Sequence, residues 1–249
     1  MSLTISIITA VRNNKEFIED AVRNVLEQTY PHIEYIVVDG NSTDGTLDII
    51  KKYEGKVSKW ISEPDSGIYE ALNKGIKLVT GDVVGFLHSD DLFTSNVVIE
   101  KIAEKFLSWN IDAVYSDLVY VAKNDGDKII RCWKAGEYKP SSLKFGWMPP
   151  HPTLFLKKEV YNNCGLFNTA LRISADYDMM LRLLTYCGNK IGYINETLIK
   201  MRLGGTSNRS LSNIITKSRE DYVALKNNRF RVPLFTLILK NIRKLNQFF

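Results

Sequence analysis

The chain has 249 residues, 45% of them hydrophobic, enough for one sizeable α/β domain with an appended helical segment. It has no internal repeat, no low-complexity tract and no run approaching the roughly 20 apolar residues of a membrane-spanning helix. The net charge of +5 is modest and gathered toward one end, which argues against a nucleic-acid partner.

Leu3 to Ala10 is an apolar run rich in Ile and Thr, suited to a buried strand. Asn14 to Tyr30 then places Phe17, Ile18, Ala21, Val22, Val25 and Leu26 on one helical face. Tyr35–Val38 reads as a strand, Leu47–Tyr53 as a helix, Lys59–Ser62 as a weak strand and Ile68–Val79 as a helix. Val83–Leu87 is a fourth strand, Val97–Trp109 a helix and Ala113–Tyr115 a short strand. A hairpin follows, with Leu118–Ala122 and Ile129–Trp133 joined by a polar turn at Asn124–Asp127. Strands alternating with helices at this spacing predict an α/β fold whose mostly parallel sheet is covered on both faces.

Each early strand ends in polar residues: Arg12-Asn13, Asp39-Gly-Asn41, Glu63-Pro-Asp65, and His88 to Asp91. Ligands of open α/β sheets bind at the carboxyl ends of strands, so these ends predict a crevice. Asp90 and Asp91 close the run Gly85–Phe93 and have two readings. They are ligands for a hard cation such as Mg²⁺ or Mn²⁺, or part of a cap for the next helix. In Asp39-Gly-Asn-Ser-Thr-Asp-Gly45 the glycines allow a tight turn, and Asp44 or Thr43 can cap the following helix. Asp39 is then left as an acceptor for a base or ribose. No G-x-x-x-x-G-K-[ST] or G-x-G-x-x-G occurs, so phosphate charge falls to a metal.

Four segments, Ser6–Asn13, Val37–Thr46, Glu63–Ile76 and Phe86–Asp91, resemble in order the motifs of family 2 glycosyltransferases. The resemblance is closest to bacterial members of exopolysaccharide, capsule and O-antigen synthesis, and extends to about residue 208. It implies an inverting enzyme of the GT-A fold, with a catalytic domain at 1–208 and a helical segment at 209–249. Within the domain it implies a nucleotide-sugar half at 1–117 and an acceptor half at 118–208. By the same resemblance Thr9, Arg12 and Asn13 meet the nucleoside, Asp39 contacts base or ribose, and Asp65 and Asn73 flank the nucleotide. Asp91 then ligates Mn²⁺ or Mg²⁺, with Asp90 as a second ligand or a ribose contact. His88 stands where many relatives carry Asp. It is read either as a ligand or phosphate donor, or as packing against the sheet.

Ile173–Arg182 resembles the family segment in which an acid opening a helix acts as base, which makes Asp176 the catalytic base and Asp178 the fallback. Trp147 is read as stacking on a sugar or as buried. His151 is read as an acceptor or diphosphate contact or as structural. Met201–Asn208 resembles the family's Gly-Gly-x-Ser loop, from which Arg202 would reach the diphosphate, unless the loop is a plain turn.

The expected donor is a UDP-sugar and the acceptor a lipid-linked glycan. A sugar-nucleotide nucleotidyltransferase and a non-catalytic carbohydrate-binding relative are the alternatives. The first normally has a Gly-rich loop after its first strand, and Thr9–Asn14 contains no glycine. Cys132, Cys164 and Cys187 lack C-x-x-C spacing, which suits reduced thiols in a cytoplasmic protein, and Met1-Ser-Leu-Thr running into the first strand gives the expectation of no signal peptide. In the tail, Leu234, Leu237, Ile238, Ile242, Leu245, Phe248 and Phe249 fall on one helical face, with Lys240, Arg243 and Lys244 opposite. That pattern predicts a helix lying on the membrane surface, a packed helix being the other reading.

Overall fold

The structure, a computed structural model, describes residues 2–204 and 211–243. Its first half is β1 (Ile5–Val11), α1 (Ile18–Leu26), β2 (Ile33–Asp39), α2 (Thr46–Lys52), β3 (Lys59–Ser62), α3 (Ile68–Leu78) and β4 (Val83–Phe86). The four strands run parallel in the order β3-β2-β1-β4. Alternate residues feed two cores. Ile8, Ala10, Ile36 and Val38 pack with Ala71, Leu72 and Ile76 of α3. Ile5, Ile7, Val11 and Val37 pack with Ile18, Ala21, Val22 and Val25 of α1. Burial on both faces is why these strands read as unbroken apolar runs. The parallel order brings four carboxyl ends to one edge.

The second half continues with β5 (Leu92–Phe93), α4 (Val98–Ser108), β6 (Ala113–Ala122), β7 (Asp125–Trp133), β8 (Phe155–Lys157), α5 (Lys158–Cys164), α6 (Ala175–Cys187), β9 (Ile191–Arg202), α7 (Leu211–Asn227) and α8 (Pro233–Arg243). The sheet runs on from β4 through β8, β6, β9 and β5, and β7 forms a hairpin on β6. β8 is antiparallel to β4 and β6, whereas β9 is parallel to β6, so the parallel pattern is strict only in the first half.

One continuous strand replaces the two short ones expected at 113–115 and 118–122. The pair Ser116-Asp117 looks like a break because it is polar, yet its groups are satisfied inside. Asp117 accepts from Ala135 N at 2.8 Å and from the Tyr193 hydroxyl at 2.7 Å, and Ser116 N donates to Thr153 Oγ1 at 3.3 Å.

The tail departs from its expected faces. Thr236, Leu237 and Lys240 of α8 are buried against the domain, while Leu234, Phe235, Ile238 and Ile242 face outward. Lys240 is therefore not on an outer polar face. Its Nζ pairs with Asp221 at 2.8 Å and lies 3.2 Å from the Tyr177 ring centroid. Gly146, at φ +72°, lets α8 lie directly on its backbone: a Cβ there would meet Lys240 N at 2.4 Å. Lys244, Leu245, Phe248 and Phe249 lie outside the described residues.

At the amino end of the sheet Glu34 is buried, yet it accepts hydrogen bonds from Ser6 Oγ at 2.6 Å, Thr80 N at 2.7 Å, Thr80 Oγ1 at 2.6 Å and Lys59 Nζ at 2.9 Å. Burial alone would raise its pKa, but these donors outweigh it and lower the value from 4.5 to about 2. A depressed carboxylate stabilises the fold above its unfolded pKa, and that stability is lost as pH falls through the folded value. Glu34→Gln is expected to be less stable at pH 6 by about 3 kcal/mol. The gap should close as pH falls from 4.5 toward 2, read by urea unfolding of both proteins across that window. A gap that ignores pH would show that the charge on Glu34 contributes nothing.

Candidate active site

The loops after β1 and β2 are stitched together. Asn13 N donates to Ser42 Oγ at 2.8 Å, Thr43 N to Asn13 Oδ1 at 2.8 Å, and Lys15 N to Asp44 Oδ2 at 3.1 Å. Asp44 also accepts from Thr46 N at 3.0 Å, a turn just ahead of α2. The N-cap of α2 is Gly45, with no side-chain cap, in place of the cap expected from Asp44 or Thr43. Asn13 and Asn41 adopt left-handed backbone, at φ 51° and 58°. Asn tolerates this conformation better than other side chains, and such residues gather at functional sites. Gly40 is required by contact: a Cβ there would lie 2.3 Å from Asp65 Oδ2 and 3.3 Å from Arg12 Cβ. Arg12, Asn13 and Asp65 thus meet at the crevice rim, with Arg12 and Asn13 exposed.

Three other expected nucleotide contacts are occupied within the protein. Thr9 is fully buried; its hydroxyl donates to Leu87 O at 2.8 Å and accepts from Tyr35. It clamps β1 to the end of β4 and does not face the crevice. Asp39, also fully buried, accepts from Ser42 N at 3.0 Å, Ser42 Oγ at 2.5 Å and Ser62 Oγ at 2.6 Å. It organises the loop, with three of its acceptor positions taken within the protein. Asn73 spans to Phe167 with both ends of its amide, at 2.9 and 2.8 Å, tying α3 to the segment before α6.

Beyond β4 the chain turns through His88, Ser89, Asp90 and Asp91, closed by Asp91 N donating to His88 O at 3.0 Å. Asn14 Nδ2 holds Ser89 Oγ at 2.8 Å. Asp91 is 1% exposed; its Oδ1 accepts from Arg202 N at 3.3 Å, and its Oδ2 is buried with no hydrogen-bond partner among the described residues. Burial first, and then the charge of Asp90, push its pKa well above the ordinary carboxylate value, against the pull of Arg202. Arg202 is buried too: Nη1 donates to Asp90 O and Nη2 to Asp20 Oδ2, both at 3.1 Å, and the guanidinium covers the Phe17 ring. It braces the acidic turn from behind. Of the loop it was read with, residues 205–208 lie outside the described residues.

Opposite this turn, α6 opens with Ala175-Asp176. Asp176 is half-buried, and its Oδ1 accepts from Tyr177 N at 2.7 Å, with the Tyr69 oxygen, whose proton goes to Ile173 O, 3.3 Å away. Its Oδ2 has no hydrogen-bond partner among the described residues. Asp178 is not an alternative. It is 4% exposed and bound by Arg182 Nε at 3.1 Å and Asn228 Nδ2 at 3.0 Å.

His88 and His151 fill the space between the acids, with ring centroids 6.3 Å apart. Burial lowers the pKa of His88, opposed by the charges of Asp90 and Asp176. Burial likewise takes His151 down to about 4, so its ring is neutral at neutral pH. His151 packs among Phe86, Phe167 and His88. Trp147 does not line the crevice; it is buried, with Nε1 donating to Ala135 O at 2.8 Å and its ring against Tyr115 and Tyr138.

Among the described residues no three His, Cys, Asp or Glu side chains converge to cage a metal alone. The donors that do occur, the orphaned Asp91 Oδ2 beside Asp90 and the orphaned His88 Nδ1, fit a different arrangement. Mg²⁺ and Mn²⁺ sites of this type use one or two carboxylates and complete the shell with water and substrate phosphates. Tyr69, which touches Asp176, was not singled out from the sequence. It lies in the third motif quoted above, and that was its only signal.

Comparison with known proteins places the chain's sequence and fold. The model of Glycosyl transferase family 2 matches residues 6–165. A PGL/p-HBAD biosynthesis glycosyltransferase of Mycobacterium bovis is 28% identical over 211 residues, covering 82% of this chain and 78% of that one. The crystal structure of S. aureus TarS residues 1–349 with UDP-GlcNAc superposes with a TM-score of 0.73 at 18% identity, over 98% of this chain and 73% of that one. The mannosyltransferase PcManGT of Pyrobaculum calidifontis, in complex with GDP-Man and Mn²⁺, gives 0.68 at 16% identity, over 96% and 69%.

Proposed function

The chain belongs to glycosyl transferase family 2 and has the GT-A fold, and on that premise we propose that it moves a sugar from a UDP-sugar to an acceptor hydroxyl with inversion. The observation that carries the proposal is two half-satisfied carboxylates, one on the acidic turn after β4 and one at the start of α6. His88 lies close enough to feel the charges of both Asp90 and Asp176. Asp91 keeps a buried oxygen without a partner, and Asp176 keeps one oxygen clear of hydrogen bonds among the described residues. A divalent cation on Asp91, with Asp90 beside it, supplies Lewis-acid neutralisation of the leaving diphosphate when bound.

The protein does the rest. Arg12, Asn13 and Asp65 receive the nucleotide at the rim. Arg202 holds the acidic turn in place through Asp90 O. Asp176 takes the proton of the acceptor hydroxyl at Oδ2 while the Tyr177 amide fixes Oδ1. Attack comes from the face opposite the leaving diphosphate, so the anomeric configuration inverts in one displacement, without a covalent enzyme intermediate. His151, neutral and wedged between Phe86 and Phe167, keeps that space closed to bulk water. Release of nucleoside diphosphate from a panel of UDP-, GDP- and dTDP-sugars, with and without Mn²⁺, tests the donor class. Equal turnover in the absence of any divalent ion would count against it.

We further propose that the acceptor is a lipid-linked glycan met at the inner face of the cytoplasmic membrane. No helix among the described residues is long and apolar enough to cross a membrane. The support comes instead from α8, whose Leu234, Phe235, Ile238 and Ile242 form an outward apolar ridge 50–62% exposed. Full-length protein is expected to co-sediment with anionic vesicles at moderate salt. The double substitution Phe235→Ser, Ile238→Ser should release it without unfolding, since Lys240 and Leu237 hold the inner face. Absence of sedimentation by the unmodified protein would make the ridge a contact for something other than lipid.

A further inference from the structure

We infer that Glu220 is a positioning residue for Asp176, fixing from a separate helix the backbone that aims the proposed base. The inference rests on the reading of Asp176 as base. It concerns residues beyond 165, where the family match ends.

The start of α6 lacks the usual local cap. Ser174 makes no side-chain bond to the helix, and its hydroxyl turns away to Lys217 O at 3.3 Å. The amides of Arg172, Ile173 and Ser174 instead all donate to Glu220 of α7, at 3.0, 2.8 and 2.9 Å. Three successive N–H groups converging on one anion form a charge-assisted cradle. The same segment is held from the other side, because the Tyr69 hydroxyl donates to Ile173 O at 2.8 Å while also reaching Asp176.

The helix that carries Glu220 is tied down beside it. Its neighbour Asp221 accepts from Lys217 at 3.1 Å and Lys240 at 2.8 Å, and Lys240 covers the ring of Tyr177, the residue after Asp176. Asn228 at the end of α7 reaches Asp178. α7 is thus bolted to α6 along its length, and Glu220 sets where the first turn begins. The direction of Asp176 Oδ2 follows from that turn, because Tyr177 N already fixes Oδ1.

Glu220→Gln keeps size but puts an NH₂ group where amide donors point, so the cradle opens. Misplacing a reacting group by about 1 Å costs on the order of 10²-fold in rate. The expected loss in kcat for Mn²⁺-dependent donor turnover is about 10- to 100-fold, with the donor KM and Mn²⁺-dependent UDP affinity unchanged. A residue acting only through Asp176 adds nothing once Asp176 is gone. Glu220→Gln should therefore produce no further loss in an Asp176→Asn background, measured under single-turnover conditions. Glu220→Asp, one methylene short, should fall between wild type and Gln.

UDP binding with Mn²⁺, by calorimetry, shows in the same samples that each variant is folded. An equal loss in both backgrounds, or UDP affinity falling in step with kcat, would overturn the inference in favour of a merely structural role. Unchanged kcat in Glu220→Gln, with Asp176→Asn inactive, would overturn it and leave the base assignment standing. Retained turnover in Asp176→Asn would remove both.

Discussion

Asp91→Ala is expected to abolish the Mn²⁺-dependent part of nucleoside-diphosphate binding, seen as loss of the affinity gain that Mn²⁺ gives the wild-type protein. Asp91 presents a buried oxygen with no hydrogen-bond partner among the described residues, and the sequence has neither G-x-x-x-x-G-K-[ST] nor G-x-G-x-x-G to take over. Removing groups that merely orient a metal ligand lowers metal affinity about 10- to 100-fold, so deleting a direct ligand should cost at least the upper figure. The substitution should not unfold the protein, because it removes a carboxylate that burial and Asp90 already disfavour as an anion. Calorimetry with UDP, in Mn²⁺ and in EDTA, decides. Indistinguishable affinities for wild type and variant in both conditions would place the cation elsewhere or nowhere.

The second large effect is at Asp176. Asp176→Asn keeps the shape of the side chain and the bond from Tyr177 N, but the amide cannot take a proton. General-base catalysis is worth roughly 10²–10⁴-fold, and turnover should fall by that order while UDP affinity in Mn²⁺ stays as in wild type. The control is Asp178. It is locked by Arg182 and Asn228, so Asp178→Asn should act on stability and leave UDP affinity alone. If Asp176→Asn turned over normally, the proton would have to leave by another route.

The sequence carries the fold's first half almost residue by residue, because strands buried on both faces and helices buried on one have unmistakable periods. The strand Lys59–Ser62 falls where composition places it, and the helix predicted over Ile68–Val79 runs over Ile68–Leu78. Harder to read is any position where a polar group is satisfied at long range. Ser116-Asp117 interrupts the apolar pattern without interrupting the strand, since its partners Ala135, Thr153 and Tyr193 come from elsewhere in the chain.

The site shows the same division. The motifs locate the crevice, but they do not separate residues that face it from residues that build it. Arg12, Asn13, Asp65, Asp91 and Asp176 face it or line it. Thr9, Asp39 and Asn73 each make two or three hydrogen bonds to the scaffold. Arg202 sits behind the acidic turn for a reason that only the pairing of β5 with β9 supplies. Glu220 had no sequence signal at all, since a carboxylate that caps another helix looks like any surface glutamate.

Lys240 was placed on the wrong face because a helical wheel assumes that charge points to water. Here a buried carboxylate, Asp221, and an aromatic ring, Tyr177, make the inward direction favourable. The same helix keeps an apolar ridge outward, so inward packing and an exposed apolar surface coexist on α8.

The most direct test of the central claim is the configuration of the first sugar released. An α-linked UDP-sugar that the donor panel selects is turned over by the wild-type protein with Mn²⁺ and followed by proton NMR before mutarotation proceeds. Direct attack by water or acceptor, aided by Asp176 across from the diphosphate held at Asp91, predicts the β-anomer as the first product. An α-anomer appearing first would contradict the single-displacement account and require a covalent or front-face route that these carboxylates are not arranged to supply.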